Sequence, residues 1–307
     1  MITGSIVALV TPMHEDGSID WESMDNLVDW HIKSGTNGIV PVGTTGESAT
    51  VDIPEHCEIV KRVVKAVDGR VPVIAGTGAN ATSEAIELSL AAQNAGADAC
   101  LLVTPYYNKP TQEGLYLHYK AIAKAVNIPQ ILYNVPGRTA CDLLPETVAR
   151  LAEIDGIIGI KEATGIMERC TEILALCGDK MVVYSGDDLT ALDLILHGAL
   201  GTISVTANVA PDKVSQVCEL GKAAFATMKI SGQEGRAQEM VAAARLLDSE
   251  LVGLHTNLFL ESNPIPVKWA VQRMGKIGSG IRLPMTQLST KFQEPVLTAM
   301  RQAGVNV

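Results

Sequence analysis

The sequence predicts a (β/α)8 TIM barrel with a C-terminal helical extension. Three observations carry this. Short apolar runs alternate with helical patterns eight times before about residue 221, the count a barrel needs. No GxGxxG turn follows the first run, which disfavours the runner-up, an open doubly wound sheet. Aromatics make up only 4% of the chain while hydrophobic types reach 47%, as expected where aliphatic helices pack on a parallel sheet. The expected division is a barrel over residues 1–220 and a helical extension over residues 221–307, packed on the barrel.

Ile6 to Val10 is the first expected strand, and Thr11-Pro12-Met13 leads away from it. Asp20 suits the N-cap of a helix through Met24, Leu27, Val28 and Ile32 that stops at Gly35. Gly38 to Val42 is the second strand and ends in Gly43-Thr44-Thr45-Gly46-Glu47-Ser48. A helix through Cys57, Val60, Val64 and Val67 leads to the third strand, Val71 to Ala75. Thr82 or Asn80 is the expected cap of the next helix, with Glu84 in its first turn, where the helix dipole favours an acid. Ala99 to Thr104, Gln130 to Asn134 and the strand ending at Lys161 are the fourth to sixth. Helices Glu113 to Val126 and Pro145 to Ile154 separate them. A short helix around Ile166 to Leu176 precedes the seventh strand, Met181 to Ser185. The helix Leu189 to His197 precedes the eighth, Gly201 to Val205. Beyond that, Gln233 to Leu260 reads as one long amphipathic run, broken by Asn263-Pro264-Ile265-Pro266, and two further helices close the chain.

Composition narrows the function. Lys plus Arg number 24 against 34 Asp plus Glu, a net charge of −10. An acidic chain without basic runs argues against nucleic acid and anionic membranes as partners. No apolar run reaches the ~18 residues of a membrane span. The first residues lack a basic n-region, so a cytoplasmic location is expected. The six cysteines form no CxxC pair and read as reduced core thiols. The six histidines form no HExxH or HxH cluster, so no metal site is expected.

The stretch Ile157-Ile158-Gly159-Ile160-Lys161-Glu162 reads as a buried strand that ends on a lysine. Alternation puts Lys161, Gly159 and Ile157 on one face and Ile160 and Glu162 on the other. A lysine aimed at an apolar interior loses hydration, which favours the free amine, a nucleophile for carbonyls. The plainer reading is that Lys161 marks where a strand meets water. The other unusual residues decide between them, because barrel chemistry sits at the C-terminal ends of strands. Thr44 and Thr45 follow strand two, Tyr107 strand four, Arg138 strand five and Gly186 strand seven, and Tyr133 lies on strand five. Their convergence on one rim favours Schiff-base chemistry at Lys161. Tyr133, on the strand beside it, suits a proton relay, or else a core tyrosine bonded to backbone. The Thr44-Thr45 loop offers N–H groups and two hydroxyls for a carboxylate. Arg138 suits a second carboxylate, or else a surface ion pair.

Several motifs resemble those of the dihydrodipicolinate synthase (4-hydroxy-tetrahydrodipicolinate synthase) family. They are Gly43 to Ser48, Thr104-Pro105-Tyr106-Tyr107-Asn108, Leu132 to Thr139, Gly159 to Ala163, Ser204 to Asn208 and Asn263 to Lys268, and they span essentially the whole chain. The wider group includes N-acetylneuraminate lyase and keto-deoxy-sugar aldolases. A sibling lyase acting on a sugar acid is therefore the alternative, and the Tyr-Asn-Val-Pro-Gly-Arg-Thr run points to the synthase. The resemblance implies a lyase of lysine and diaminopimelate biosynthesis that condenses pyruvate with L-aspartate 4-semialdehyde, with no organic cofactor. Lys161 is implied as the Schiff-base residue and Tyr133, Thr44 and Tyr107 as the proton relay, Tyr107 coming from a neighbouring subunit. Thr45 and the backbone near Ile203 are implied to hold pyruvate, Arg138 the semialdehyde, and Gly186 to line the pocket. A homotetramer is implied, and L-lysine as an allosteric inhibitor at Ser48, Ala49, His56, Asn80, Glu84, Tyr106 and Lys109. Ile53 departs from the histidine often found at its position in lysine-inhibited members, which is expected to weaken that site.

Overall fold

The structure is a computed structural model and describes residues 1–307. Its strands are β1 (Gly4–Ala8), β2 (Gly38–Val40), β3 (Ile74–Gly76), β4 (Ala99–Val103), β5 (Gln130–Asn134), β6 (Ile157–Glu162), β7 (Val182–Ser185) and β8 (Gly201–Ser204). All pairings are parallel, in the order β2-β1-β8-β7-β6-β5-β4-β3. A parallel bridge between Ile39 and Val73 joins the two ends and completes the barrel. The expected fold class is what is observed.

The helices between strands are α1 (Trp21–Lys33), α2 (Ile53–Val67), α3 (Thr82–Ala95), α4 (Gln112–Ala125), α5 (Pro136–Thr139), α6 (Pro145–Leu151), α7 (Met167–Cys177) and α8 (Ala191–Leu196). After β8 come α9 (Pro211–Met228), α10 (Glu234–Ser249), α11 (Val252–Asn257), α12 (Ile265–Arg273) and α13 (Thr290–Gln302). Helix α9 packs on β1 and β8 and continues past residue 220 to pack against α10.

Side-chain alternation splits the apolar residues into two layers. The inner one plugs the barrel with Ile6, Ile74, Ile131, Tyr133, Tyr184 and Ile203 among others. The outer one joins the opposite strand faces, such as Ile39, Leu102, Leu132 and Val183, to the helices. Caps set several helix starts. Asp20 accepts from Ser23 N at 3.0 Å, Asp52 from Glu55 N at 2.9 Å, and Thr111 Oγ1 from Gly114 N at 3.1 Å. Each satisfies an N–H that the helix leaves open.

Three local expectations need correction. Helix α3 starts from Ala81 without a side-chain cap. Thr82 instead bonds His118 Nδ1 at 2.9 Å, and Asn80 donates to Tyr106 O at 3.3 Å. Both side chains found partners on neighbouring segments, and tertiary contact outweighed local capping. Ile157 does not share the face of Lys161. The β5–β6 register slips between Gln130 and Ile131, so Ile157 joins the outer core while Ile158 packs on the inner plug; one irregular residue reverses the alternation. The run from Gln233 to Leu260 is also not one helix. It breaks after Ser249, and Leu251, Leu254 and Leu258 are buried as α11 turns onto α13.

Candidate active site

Strand register brings the central pair together. Tyr133 on β5 lies opposite Lys161 on β6, and both are buried. The lysine amine sits over the phenol ring, 4.2 Å from its centroid. No carboxylate pairs with it, so the amine stays open to an incoming carbonyl. On the other side, Lys161 lies opposite Tyr184 of β7. The lysine stem fills space that only glycine leaves free. A Cβ on Gly186 would fall 2.9 Å from Lys161 Cε, 3.0 Å from its Cγ and 2.6 Å from Ala163 Cβ. Gly186 thus shapes the site by what it lacks.

The end of β6 is pinned from outside the barrel. Buried Glu162 accepts from Asn134 Nδ2 at 3.0 Å and from Thr164 N at 2.7 Å. Asn134 also donates to Asp142 at 2.9 Å, and Asp142 takes a two-pronged bond from Arg169 at 2.8 and 3.0 Å. Burial pushes the Glu162 carboxyl above its ordinary range. Burial works the same way on Asp142, but the bonds from Arg169 and Asn134 outweigh it and hold Asp142 low. This network locks the backbone directly beside Lys161.

The loop after β2 carries Thr44 and Thr45. Its turns use the N–H groups of Gly46, Glu47 and Ser48, which bond the carbonyls of Gly43 and Thr44 at 3.0 to 3.3 Å. Those donors are therefore not free for an anion; the backbone N–H groups of Thr44 and Thr45 and the two hydroxyls remain. Thr45 is buried and its Oγ1 accepts from Asn263 Nδ2 at 2.9 Å. Glu47 has a left-handed backbone with φ of 60° and a buried carboxylate paired with buried Lys268. Burial draws Lys268 below the ordinary lysine range against the pull of Glu47. Arg282 adds its backbone N–H to Glu47 at 3.1 Å and its guanidinium to Thr50 O and Glu55. The C-terminal extension therefore clamps this loop. Asn263, Lys268 and Arg282 were not among the residues expected at the site. The available signal was the Asn263 to Lys268 motif, an Asn and a Lys flanking a Pro-Ile-Pro-Val run, to which the sequence alone attaches no role in the site.

A cavity of about 270 Å³ opens beside the loop. Thr44 and Arg138 line it together with Ser48, Ala49, His56, Glu84 and Tyr106. Arg138 stands on α5, directly after β5. Ile53 also lines the cavity. His56 Nε2 meets Gly76 O at 2.7 Å, so that nitrogen carries the proton and Nδ1 is left as an acceptor. Burial lowers the tendency of His56 to charge, and the Gly76 contact offsets part of this. Burial and then Glu84 raise the Tyr106 phenol.

Other expected residues lie elsewhere in the chain. Ile203 is part of the inner plug. Asn80 is tied into the 106–108 loop by bonds to Tyr106 O and from Asn108 Nδ2. Lys109 is exposed, with φ of 45°. Tyr107 is 89% exposed, with φ of 76°, whereas Lys161 is buried. No group of three or more His, Cys, Asp or Glu side chains is arranged to hold a metal. No helix is long and apolar enough to cross a membrane.

A model of the Dihydrodipicolinate synthetase family matches residues 1–303. The chain belongs to this family. The 4-hydroxy-tetrahydrodipicolinate synthase of Ectopseudomonas mendocina is 60% identical over 305 residues, 99% of each chain. That of Thioalkalivibrio sulfidiphilus is 58% identical over 307 residues, 100% of this chain and 99% of the relative. Among solved structures, the chloride-inhibited dihydrodipicolinate synthase of Acinetobacter baumannii, complexed with pyruvate, superposes with a TM-score of 0.93. It is 54% identical, and the match covers 100% of both chains. The enzyme of Cyanidioschyzon merolae with lysine bound superposes at 0.90, with 33% identity over 99% of each.

Proposed function

We propose that this family member condenses pyruvate with L-aspartate 4-semialdehyde to form 4-hydroxy-tetrahydrodipicolinate. The observation that carries this is the unpaired Lys161 amine over the Tyr133 ring at a barrel mouth, in a chain 60% identical end to end to a synthase of that name. The amine adds to the ketone of pyruvate, and loss of water leaves a Schiff base. Removal of a methyl proton gives the enamine, which attacks the aldehyde of the second substrate. That substrate's own amine then displaces Lys161 and closes the ring. Protons move through Tyr133 and Thr44, with Tyr107 supplied by a neighbouring copy. The 89% exposure of Tyr107 supports a role outside its own chain, and a homotetramer fits that role. Thr45 and the backbone near Ile203 hold the pyruvate carboxylate. Arg138 holds the carboxylate of the semialdehyde, and Gly186 gives Lys161 its place. The covalent lysine does the work of an electron sink, so no organic cofactor takes part.

L-lysine is the proposed inhibitor. The support is the cavity where Glu84 can face an ammonium group beside Tyr106, His56, Ser48 and Ala49, with Asn80 and Lys109 on the segments that border it. The test is borohydride reduction with pyruvate, followed by peptide mass mapping, alongside turnover of pyruvate with L-aspartate 4-semialdehyde. A reduced adduct on the peptide bearing Lys161 and clear turnover are expected. Labelling elsewhere, or none, would sink the mechanism. Labelling without turnover of the semialdehyde would point to a different acceptor aldehyde.

A further inference from the structure

We propose that Asn263 is a positioning residue that sets the direction of the Thr45 hydroxyl, an inference that rests on Thr45 holding the pyruvate carboxylate. Asn263 lies between α11 and α12, outside the eight strand–helix units. It is 4% exposed and Thr45 is 2% exposed. Its Nδ2 reaches Thr45 Oγ1 at 2.9 Å. An amide N–H only donates, so the Thr45 oxygen accepts in this bond and its own proton must be used elsewhere. A threonine hydroxyl without such a donor rotates to whichever carbonyl is near. With one lone pair occupied, it is set to donate to an incoming acceptor, and a carboxylate is an acceptor only. A hydroxyl that accepts one hydrogen bond also donates a stronger one, because the chain polarises.

Two further observations separate this role from simple support of the loop. The loop already has its own anchors in the extension, the Lys268–Glu47 pair and the Arg282 bonds to Glu47 and Thr50. Asn263 is therefore not needed to hold the backbone. Its Oδ1 is buried without a partner, an arrangement that costs free energy and calls for a reason. The amide keeps one oxygen unsatisfied while placing its nitrogen on Thr45. It also lines the cavity together with Thr44 and Arg138, two residues assigned above to the relay and to the second substrate.

The test is steady-state kinetics of the full-length protein and of Asn263→Ala, Thr45→Val and the double variant. Asn263→Ala is expected to raise the pyruvate KM roughly tenfold, the loss of one aligned hydrogen bond to a charged group. The KM for the semialdehyde stays put, and borohydride at saturating pyruvate still labels Lys161 fully. In the Thr45→Val background, Asn263→Ala adds less than about twofold, because the hydroxyl it acts through is gone. An unchanged pyruvate KM in Asn263→Ala overturns the proposal. So does a full tenfold effect on top of Thr45→Val. If Asn263→Ala does not fold, Asn263→Asp keeps the shape and carries the test. Its ionised carboxylate takes the Thr45 proton, so the pyruvate KM is raised at pH 8 and recovers as the new acid protonates. A KM that stays at the wild-type level across that range overturns the proposal. A wild-type chain that takes no pyruvate onto Lys161 overturns the functional reading and this inference together. A wild-type chain that does, with unaffected Asn263 variants, overturns this inference alone.

Discussion

At the scale of residues, the site depends as much on missing atoms as on present ones. Gly186→Ala places a methyl group against the Lys161 stem and Ala163 Cβ. The stem can swing but the alanine cannot, so the lysine must give way. Overpacking of this kind costs about 1–3 kcal/mol. We expect a modest drop in Tm and at least a roughly tenfold slower pyruvate–borohydride trapping, since a displaced nucleophile loses its attack geometry. Trapping at the wild-type rate would show that Lys161 relocates harmlessly. Ile53 offers a second test at this scale. It is the first residue of α2, lines the cavity and is 37% exposed. Replacing it by histidine adds a polar ring beside Glu84 and His56. L-lysine should then half-inhibit turnover at a severalfold lower concentration, by roughly one added hydrogen bond. Inhibition curves that superpose would remove Ile53 from the site. Lys161 and Tyr133 were legible in the sequence because adjacent parallel strands fix their heights. Asn263 was not, because its partner lies 218 residues away and no local pattern encodes that contact.

At the scale of elements, periodic segments were readable and their ends were not. All eight strands lie where apolar runs stand in the sequence, because burial on both faces leaves a strong compositional trace. The missed cap of α3 and the reversed Ile157 share a cause. Each depends on a neighbouring segment, His118 and Tyr106 in one case and the β5 register in the other. The clamp on the 43–50 loop belongs to this scale as well. Lys268→Met leaves the buried Glu47 carboxylate with the Arg282 backbone N–H and its more distant guanidinium, but without its direct ion-pair partner. Breaking one side of a buried pair costs about 3–5 kcal/mol, and chemical denaturation should show that loss. Adding Glu47→Gln to Lys268→Met removes the stranded charge and should restore most of it. A double variant as unstable as the single one would mean that the lysine stem, not its charge, holds the loop.

At the scale of the whole molecule, buried histidines on different helices tie stability to pH. Burial, with Lys276 adding to it, lowers His31 on α1 to about 3. Burial alone lowers His118 on α4 to about 4. Each ring has one nitrogen bonded to a threonine, Thr36 or Thr82, and the other buried without a partner. The unfolded chain takes up these protons near pH 6.5 and the folded chain does not. Their depressed values mean that the contribution to stability is complete above about pH 6.5. It is lost progressively as pH falls towards 4 and then 3. Glu162 acts in the opposite sense, because burial raises its carboxyl and the folded state holds that proton more tightly. Comparing variants under identical conditions cancels it. The expected outcome is that His31→Gln with His118→Gln is less stable than wild type at pH 8, where two fitted rings have been lost. The Tm gap should narrow steadily between pH 6.5 and 4.5, as protons bind the unfolded wild-type chain and have no counterpart in the variant. A gap that stays constant across that window would mean that the two rings take up protons within the folded barrel, and that some other set of groups governs its response to acid.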